Sequence, residues 1–167
     1  MKKLPKIIIQ KEFEMLFAAE KEKEYKLAYL LGFEAGMRIS EIVGYKDKVP
    51  ALTKENVDEL SIKILSGKGS KDRVVPRPKR LNESARNLLP LKMSRRNLQF
   101  RFKNLCMEVL NKNLSFHALR HGFCSHLAQT RPLHEVQMLA GHSRLDTTGI
   151  YLHANPKQAI EGAREAF

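Results

Sequence analysis

Apolar residues recur at helical spacing along most of this chain, and that spacing limits the folds open to it. Phe13, Leu16 and Phe17 stand at positions i, i+3 and i+4, and residues 27–31 repeat the same pattern. Such spacing places apolar side chains on one face of a helix. The first 35 residues therefore predict two amphipathic helices. Ser40 follows Gly36 and predicts the N-cap of a short helix that stops at Gly44.

The helical pattern returns at Ser94 and continues to the C-terminus. Ser94 has the side chain of an N-cap and precedes an apolar stripe that reaches Val109. Further helices are predicted downstream, starting at Ser115, Leu133, Asp146 and Pro156, with Gly141 ending the second of them.

Between these helical regions lies one segment with a β-type pattern. Short apolar runs occur at Leu52–Val57, Ile62–Leu65 and Arg73–Val75, and a glycine-containing loop separates the last two. The sequence predicts an α+β fold that is mainly α, with a small antiparallel three-stranded sheet at one edge. Its 167 residues are typical of a single domain, so residues 1–167 are expected to form one.

The positive charge is concentrated in the middle of the chain. The formal net charge is +12, and residues 63–103 hold 13 basic against 2 acidic residues. A basic surface can serve solubility alone, but mixed signs usually do that, so a polyanion is the favoured partner, and nucleic acid is the first candidate. The residues expected to contact DNA are Lys71, Arg73, Arg77, Lys79, Arg80, Arg95 and Arg96.

The cysteines and the N-terminus indicate the compartment. Cys106 and Cys124 have neither CxxC nor disulfide-framework spacing, which is typical of reduced thiols. The apolar run Ile7–Ile9 is too short for a signal peptide or a membrane span. The chain is therefore expected to be cytoplasmic and not bound to a membrane.

Several residues could take part in catalysis, but the local pattern around each of them is unremarkable alone. His117 and Arg120 share one helical face, His142 follows a glycine, and Tyr151 comes nine residues later. An ordinary surface pair and a packing tyrosine would give the same local patterns. Arg38 stands at a glycine-bent junction, where Glu41 is placed to brace it.

Taken together and in order, these motifs resemble a known family. The segments HALRHGFCSHLAQ and LAGHSRLDTTGIYLH, with Gly36–Glu41 and Gly67–Arg73 upstream, resemble the tyrosine recombinases, which include Xer-like and phage-integrase-like site-specific recombinases. Ala140 departs from the family pattern, which usually has leucine there. The turn Gln129–Pro132 is also short and lacks the usual glycine. Both departures concern packing or loop length.

The resemblance implies a mechanism and a set of roles. Tyr151 would attack a DNA phosphate to give a 3′-phosphotyrosine, His117 would accept its proton, and Lys68 would protonate the leaving 5′ oxygen, with Lys71 as the fallback acid. The phosphate would be held by Arg38, Arg120 and His142. No metal and no cofactor are expected, because arginines supply the positive charge. A zinc site at His117 and His121 is disfavoured, since HExxH is missing.

The same resemblance extends to domain organisation and assembly. It covers Pro5 onward, so the family's N-terminal DNA-clamping (core-binding) domain is expected to be absent, as in a fragment or a catalytic-only protein. It implies four protomers on two DNA duplexes, although the chain away from DNA could be a monomer. The helix after Pro156 is expected to dock on a neighbour, and folding back on its own core is the alternative. Two rival functions remain open: a type IB topoisomerase, and a silent DNA-binding module.

Overall fold

A computed structural model describes residues 6–65, 72–141 and 156–167 of the chain. These residues form eight α-helices and one two-stranded sheet, which confirms the mainly helical α+β fold. The helices are α1 (Gln10–Ala19), α2 (Lys23–Glu34), α3 (Ile39–Val43), α4 (Glu83–Arg86), α5 (Arg95–Leu110), α6 (His117–Leu127), α7 (Leu133–Ala140) and α8 (Pro156–Glu165). No helix within the described ranges is both long enough and apolar enough to cross a membrane.

The sheet is an antiparallel hairpin of β1 (Ser61–Ile64) and β2 (Arg73–Pro76), with Ile62 opposite Val75. The third strand predicted at Leu52–Val57 is wrong. That segment contains a 3₁₀ turn at Lys54–Asn56 and meets the sheet only through a bridge between Val57 and Ile62. The Asn56 side chain explains the turn, because its Oδ1 accepts hydrogen bonds from the backbone N (3.1 Å) and hydroxyl (2.9 Å) of Thr53.

Two of the predicted helix caps, Ser40 and Ser115, differ in the structure. Helix α6 begins at His117 with Phe116 rather than Ser115 in the N-cap position. Ser94 Oγ accepts from the Asn97 backbone N at 3.1 Å and begins α5, as predicted. The short helix α3 is capped differently, because Arg38 rather than Ser40 occupies the N-cap position. There the Glu41 carboxylate accepts from the Arg38 backbone N at 2.7 Å. That bond satisfies a backbone N–H at the helix entrance and ties Glu41 to Arg38.

The core is centred on α2 and α6, which approach closely at Gly32. A Cβ at this position would lie only 3.0 Å from Leu119 Cδ1, so glycine permits the close contact of the two helices. The stripe predicted on α6 is confirmed, since Leu119, Phe123 and Leu127 are all fully buried. This packing fixes α6, and with it the residues on its opposite face.

The last helix packs on the chain's own core. Ala159, Ile160 and Ala163 are buried, and Phe167 stacks on Phe123 with ring centroids 5.9 Å apart. Arg164 also donates from Nε to the backbone carbonyl of Arg77, the residue after β2, at 3.0 Å. In the single chain α8 therefore has the folded-back arrangement, the alternative to docking on a neighbour.

Candidate active site

Arg38 lies at the N-terminus of α3, directly after a sharp turn at Gly36. Gly36 has φ +64°, and a Cβ there would fall 2.4 Å from the ring of Phe123. Both the left-handed backbone and the close ring require glycine at this position. The turn leaves the Arg38 side chain 40% exposed, so its guanidinium can still meet a ligand.

Glu41 is a buried carboxylate shared by two arginines. Its side chain is only 8% exposed and accepts from Arg38 Nη1 at 3.1 Å. Arg73 binds the same carboxylate with both terminal nitrogens: Nη2 donates to Oε2 at 3.0 Å, and Nη1 donates to Oε1. Burial pushes the pKa of Glu41 upward, but the bonds and charges of Arg73 and Arg38 outweigh it and hold that pKa below its ordinary value. Glu41 is therefore held as a carboxylate at neutral pH.

A third arginine, Arg120, lies on α6 near Arg38 and Arg73, and it is 3% exposed. It donates from Nη1 to the Gly36 carbonyl at 2.7 Å and from Nη2 to the Ala140 carbonyl. Burial, followed by repulsion from Arg38 and Arg73, lowers the pKa of Arg120 to about 10. Arg120 nevertheless stays charged at pH 7.

The four side chains of Arg38, Glu41, Arg73 and Arg120 form what we call the arginine cluster. Three guanidinium groups around one carboxylate leave a formal charge of 3 − 1 = +2 at one place. Concentrated positive charge of this kind is suited to bind an anion, and a phosphate in particular matches the fork geometry of arginine.

The C-terminal end of α7 closes one side of the arginine cluster. Arg73 Nε donates to the Leu139 carbonyl at 3.1 Å, and Arg120 binds the next carbonyl, that of Ala140. Two cations thus satisfy two backbone acceptors at the negative end of the helix. Gly141 follows with φ +64° and, in sequence, immediately precedes His142.

His117 lies one helical turn before Arg120 on the exposed side of α6. Its ring meets that of His121 edge-on, with centroids 4.5 Å apart. Burial, and then the charge of Arg120, lowers the pKa of His121. In the parts of the chain that the structure describes, no group of three or more His, Cys, Asp or Glu could hold a metal ion.

Four of the predicted site residues, Lys68, Lys71, His142 and Tyr151, lie outside the described residues. Of the predicted catalytic residues that are described, Arg38 and Arg120 meet in the arginine cluster, and His117 lies one turn from it. Glu41 braces Arg38, as the sequence indicates. The sequence interpretation missed that Arg73 belongs to the cluster. A charged residue at the start of a strand gives no sequence signal for a partner 32 positions away.

Besides Arg73, two more of the predicted DNA-contacting arginines have bonds within the chain. Arg77 donates to the Leu81 carbonyl from Nε (3.0 Å) and from Nη2 (2.7 Å). Arg80 forms ion pairs with Glu14 at 2.9 Å and with Glu34 at 2.6 Å. Lys79, between them, is exposed.

The remaining pair, Arg95 and Arg96, borders a surface cleft of about 460 Å³ at the far end of α3. Arg95 stacks over the ring of Tyr45 at 4.2 Å, and Lys46 Nζ lies 5.5 Å from the same ring. Arg96 is exposed beside them. The cleft thus combines three cations with an aromatic ring, and Lys46 is a member that the sequence interpretation did not include.

Comparison with known proteins gives a consistent set of relatives. A family model described as the phage integrase family matches residues 89–158. Tyrosine recombinase XerA of Thermococcus kodakarensis is 32% identical in an alignment 185 residues long. The alignment covers 98% of this chain and 62% of the relative. The chain thus spans less than two thirds of that relative's length.

Solved structures show the same fold. The integrase from mycobacterium phage Brujita superposes with a TM-score of 0.79 at 23% identity, over all of this chain and 60% of that one. The XerH site-specific recombinase, in a pre-cleavage complex with its difH substrate, gives a TM-score of 0.64 at 25% identity over 94% of this chain and 53% of that one. With the relatives above, these likenesses establish that the chain belongs to the phage integrase family of tyrosine recombinases.

Proposed function

We propose that this chain is the catalytic domain of a site-specific DNA recombinase that cuts and rejoins DNA through a covalent bond to Tyr151. The observation that carries the proposal is the arginine cluster, in which Arg38, Arg73 and Arg120 surround Glu41 with an excess of positive charge. Relatives with the same fold are tyrosine recombinases, and one of them was solved with its DNA substrate.

In the proposed reaction, the Tyr151 hydroxyl attacks the phosphorus of one phosphodiester. A bond forms between the tyrosine oxygen and phosphorus while the bond from phosphorus to the 5′ oxygen breaks. His117 takes the tyrosine proton, and Lys68 gives a proton to the leaving 5′ oxygen, with Lys71 as the fallback donor. The attack needs such help because a free tyrosine has a pKa near 10. Reversal with a different 5′ hydroxyl rejoins the strand.

The arginines would stabilise the charge that develops on the phosphate. Arg38 is exposed enough to reach a non-bridging oxygen. Arg120 has five N–H donors, and the backbone carbonyls of Gly36 and Ala140 accept from two of them. His142 would add a further hydrogen bond. Loss of one such donor costs roughly 10²–10³ in rate. Because fixed guanidinium groups supply the positive charge, we propose that the reaction needs no metal.

We propose that flanking DNA lies across the cleft at Tyr45, Lys46, Arg95 and Arg96, with exposed Lys79 as a further contact. Helix α3 has five residues and rises about 1.5 Å per residue, so this cleft begins about 7 Å from the Arg38 end of the helix. Replacing Lys46 and Arg96 together by Gln should weaken binding to all DNA sequences alike. The plot of the log of the binding constant against log salt should become less steep, by about 2 in slope. An unchanged slope in a filter-binding titration would exclude the cleft as a DNA contact.

We further propose that the protein assembles on DNA as a homo-oligomer of four protomers on two duplexes, acts in the cytoplasm, and is a monomer without DNA. The folded-back position of α8 supports the monomer, because that helix already covers its apolar face within one chain. Light scattering with and without a paired-site DNA tests the assembly. A mass of one protomer per duplex at saturating protein would contradict it.

The decisive experiment uses a nicked suicide DNA substrate, from which the short fragment with the free 5′ hydroxyl is lost after cleavage. The wild-type protein should give a slower band on a denaturing gel, and Tyr151→Phe should bind the DNA without giving that band. The matched control is Tyr25→Phe, which removes a half-buried tyrosine hydroxyl elsewhere in the chain. A shifted band that persists in Tyr151→Phe would overturn the mechanism. Relaxation of supercoils without recombinant product would indicate topoisomerase-type activity instead.

A further inference from the structure

Arg73 is largely buried, and each of its three guanidinium nitrogens donates a hydrogen bond inside the chain. Its side chain is 10% exposed, and all three nitrogens donate: two to Glu41 and one to the Leu139 carbonyl. Arg120 is equally buried, but it donates to two neutral backbone carbonyls, whereas Arg73 is bound to both oxygens of a carboxylate. The arrangement of Arg73 instead resembles a brace between two parts of the molecule.

Arg73 acts on Arg38 through their shared partner, the Glu41 carboxylate. A lone pair of Arg38 and Glu41 would have no net charge, and both carboxylate oxygens would be open to Arg38. With Arg73 bound to both oxygens, Arg38 keeps a bond to Oε1 at 3.1 Å, and the three groups carry a charge of +1. The positive charge of Arg38 is therefore left to attract a phosphate.

Arg73 also holds the C-terminus of α7 in place. Arg73 Nε binds the Leu139 carbonyl at 3.1 Å, and Gly141 lies so close that a Cβ there would fall 2.6 Å from Arg73 Cδ. Arg120 binds the carbonyl between these two residues, that of Ala140. Arg73 and Arg120 together thus hold the end of α7, which lies two residues before His142 in sequence.

We infer that Arg73 is a positioning residue, which holds Arg38 and the end of α7 in the geometry needed for phosphate transfer and does not contact DNA. The inference rests on the proposed recombinase function. Misplacement of reacting groups by about 1 Å can cost roughly 100-fold in rate. A positioning residue should therefore affect the cleavage rate at saturating DNA and leave DNA affinity nearly unchanged.

The test measures DNA affinity and the single-turnover rate of covalent capture separately for Arg73→Gln, Arg73→Lys and a control. Arg101→Gln is the matched control, because Arg101 also binds a buried carboxylate with two nitrogens, that of Glu20 at 2.6 and 3.1 Å, but outside the arginine cluster. Thermal melting by circular dichroism identifies the variants that are folded at the assay temperature. If Arg73→Gln is unfolded, Arg73→Lys carries the test by the same criteria.

For Arg73→Gln we expect a capture rate at saturating DNA about 100-fold below wild type, with affinity within about threefold. Arg73→Lys keeps the positive charge but cannot bind the carboxylate through two parallel hydrogen bonds, so it should recover only part of that rate. Arg101→Gln should capture DNA at the wild-type rate. Weakened affinity of Arg73→Gln with an unchanged rate at saturation would show that Arg73 contacts DNA, and a rate equal to that of Arg101→Gln would show no positioning role. Either result overturns the inference. Absence of capture by the wild-type protein instead overturns the proposed function, and the inference falls with it.

Discussion

Replacing Glu41 by Gln should destabilise the protein strongly, because this carboxylate is the only acidic member of the arginine cluster. The charge there would change from 3 − 1 = +2 to +3, with two of the three arginines nearly buried. Removing one partner of a buried ion pair typically costs about 3–5 kcal/mol, since the remaining charge is left without compensation. For a chain of this size each kcal/mol lowers Tm by about 2–4 °C, so we expect a drop of about 6–20 °C.

Urea denaturation measures the free energy and thermal denaturation the Tm, both monitored by circular dichroism, with Glu83→Gln as the matched control. Glu83 also meets two arginines, Arg77 and Arg86, but its side chain is 65% exposed. Exposed pairs contribute about 0–1 kcal/mol, so the control should change little. A loss of free energy of unfolding in Glu41→Gln no larger than in Glu83→Gln would refute the claim that the cluster depends on this carboxylate.

The pH dependence of stability gives a second readout of the same variant. The pKa of Glu41 is lowered in the folded protein from its ordinary value of 4.5. Its ion pairs therefore add stability fully above pH 4.5, and this contribution is lost as the pH falls through the lowered pKa. The stability difference between wild type and Glu41→Gln should be constant near pH 7 and shrink in acid. A difference that does not shrink would contradict the assignment of a charged Glu41.

Three further substitutions test separate parts of the structure, each by urea denaturation. Gly141→Ala should cost about 1–3 kcal/mol, because φ is +64° there and the new Cβ would meet Arg73 Cδ at 2.6 Å; an unchanged midpoint would exclude this backbone conformation. Tyr29→Phe removes a buried hydroxyl that donates to Glu20 at 3.0 Å and should cost about 1–2 kcal/mol, and a neutral result would mean that this bond is absent. Phe167→Ala should cost about 1–3 kcal/mol, because the ring packs on two core phenylalanines in the same chain; no loss would indicate that the C-terminus does not fold back.

Local patterns predict the helices and the pairing of Arg38 with Glu41. Helical periodicity is a property of neighbouring residues, so α1, α2, α5 and the buried stripe of α6 follow from the sequence alone. The bond between Arg38 and Glu41 joins residues three apart at a helix start, and the cap of α5 at Ser94 is equally local. Such features need no knowledge of the rest of the fold.

Features that depend on distant residues could not be predicted in the same way. Arg73 joins the arginine cluster only because the β1–β2 hairpin places the start of β2 beside α3 and the end of α7. Arg80 has the basic character of a DNA contact, but its partners Glu14 and Glu34 lie on α1 and α2. The missing third strand at residues 52–57 has a local cause, since the Asn56 side chain competes with the sheet for backbone hydrogen bonds.

The central claim is that the arginine cluster serves a covalent attack by Tyr151, and peptide mapping of the trapped DNA adduct tests it most directly. Trypsin should place the four tyrosines in four different peptides, with Tyr151 in residues 145–157 and the others in residues 24–26, 27–38 and 39–46. After nuclease treatment of the trapped complex, mass spectrometry should find the added nucleotide 3′-phosphate on the peptide of residues 145–157 alone. An adduct on any of the other three peptides would contradict the account.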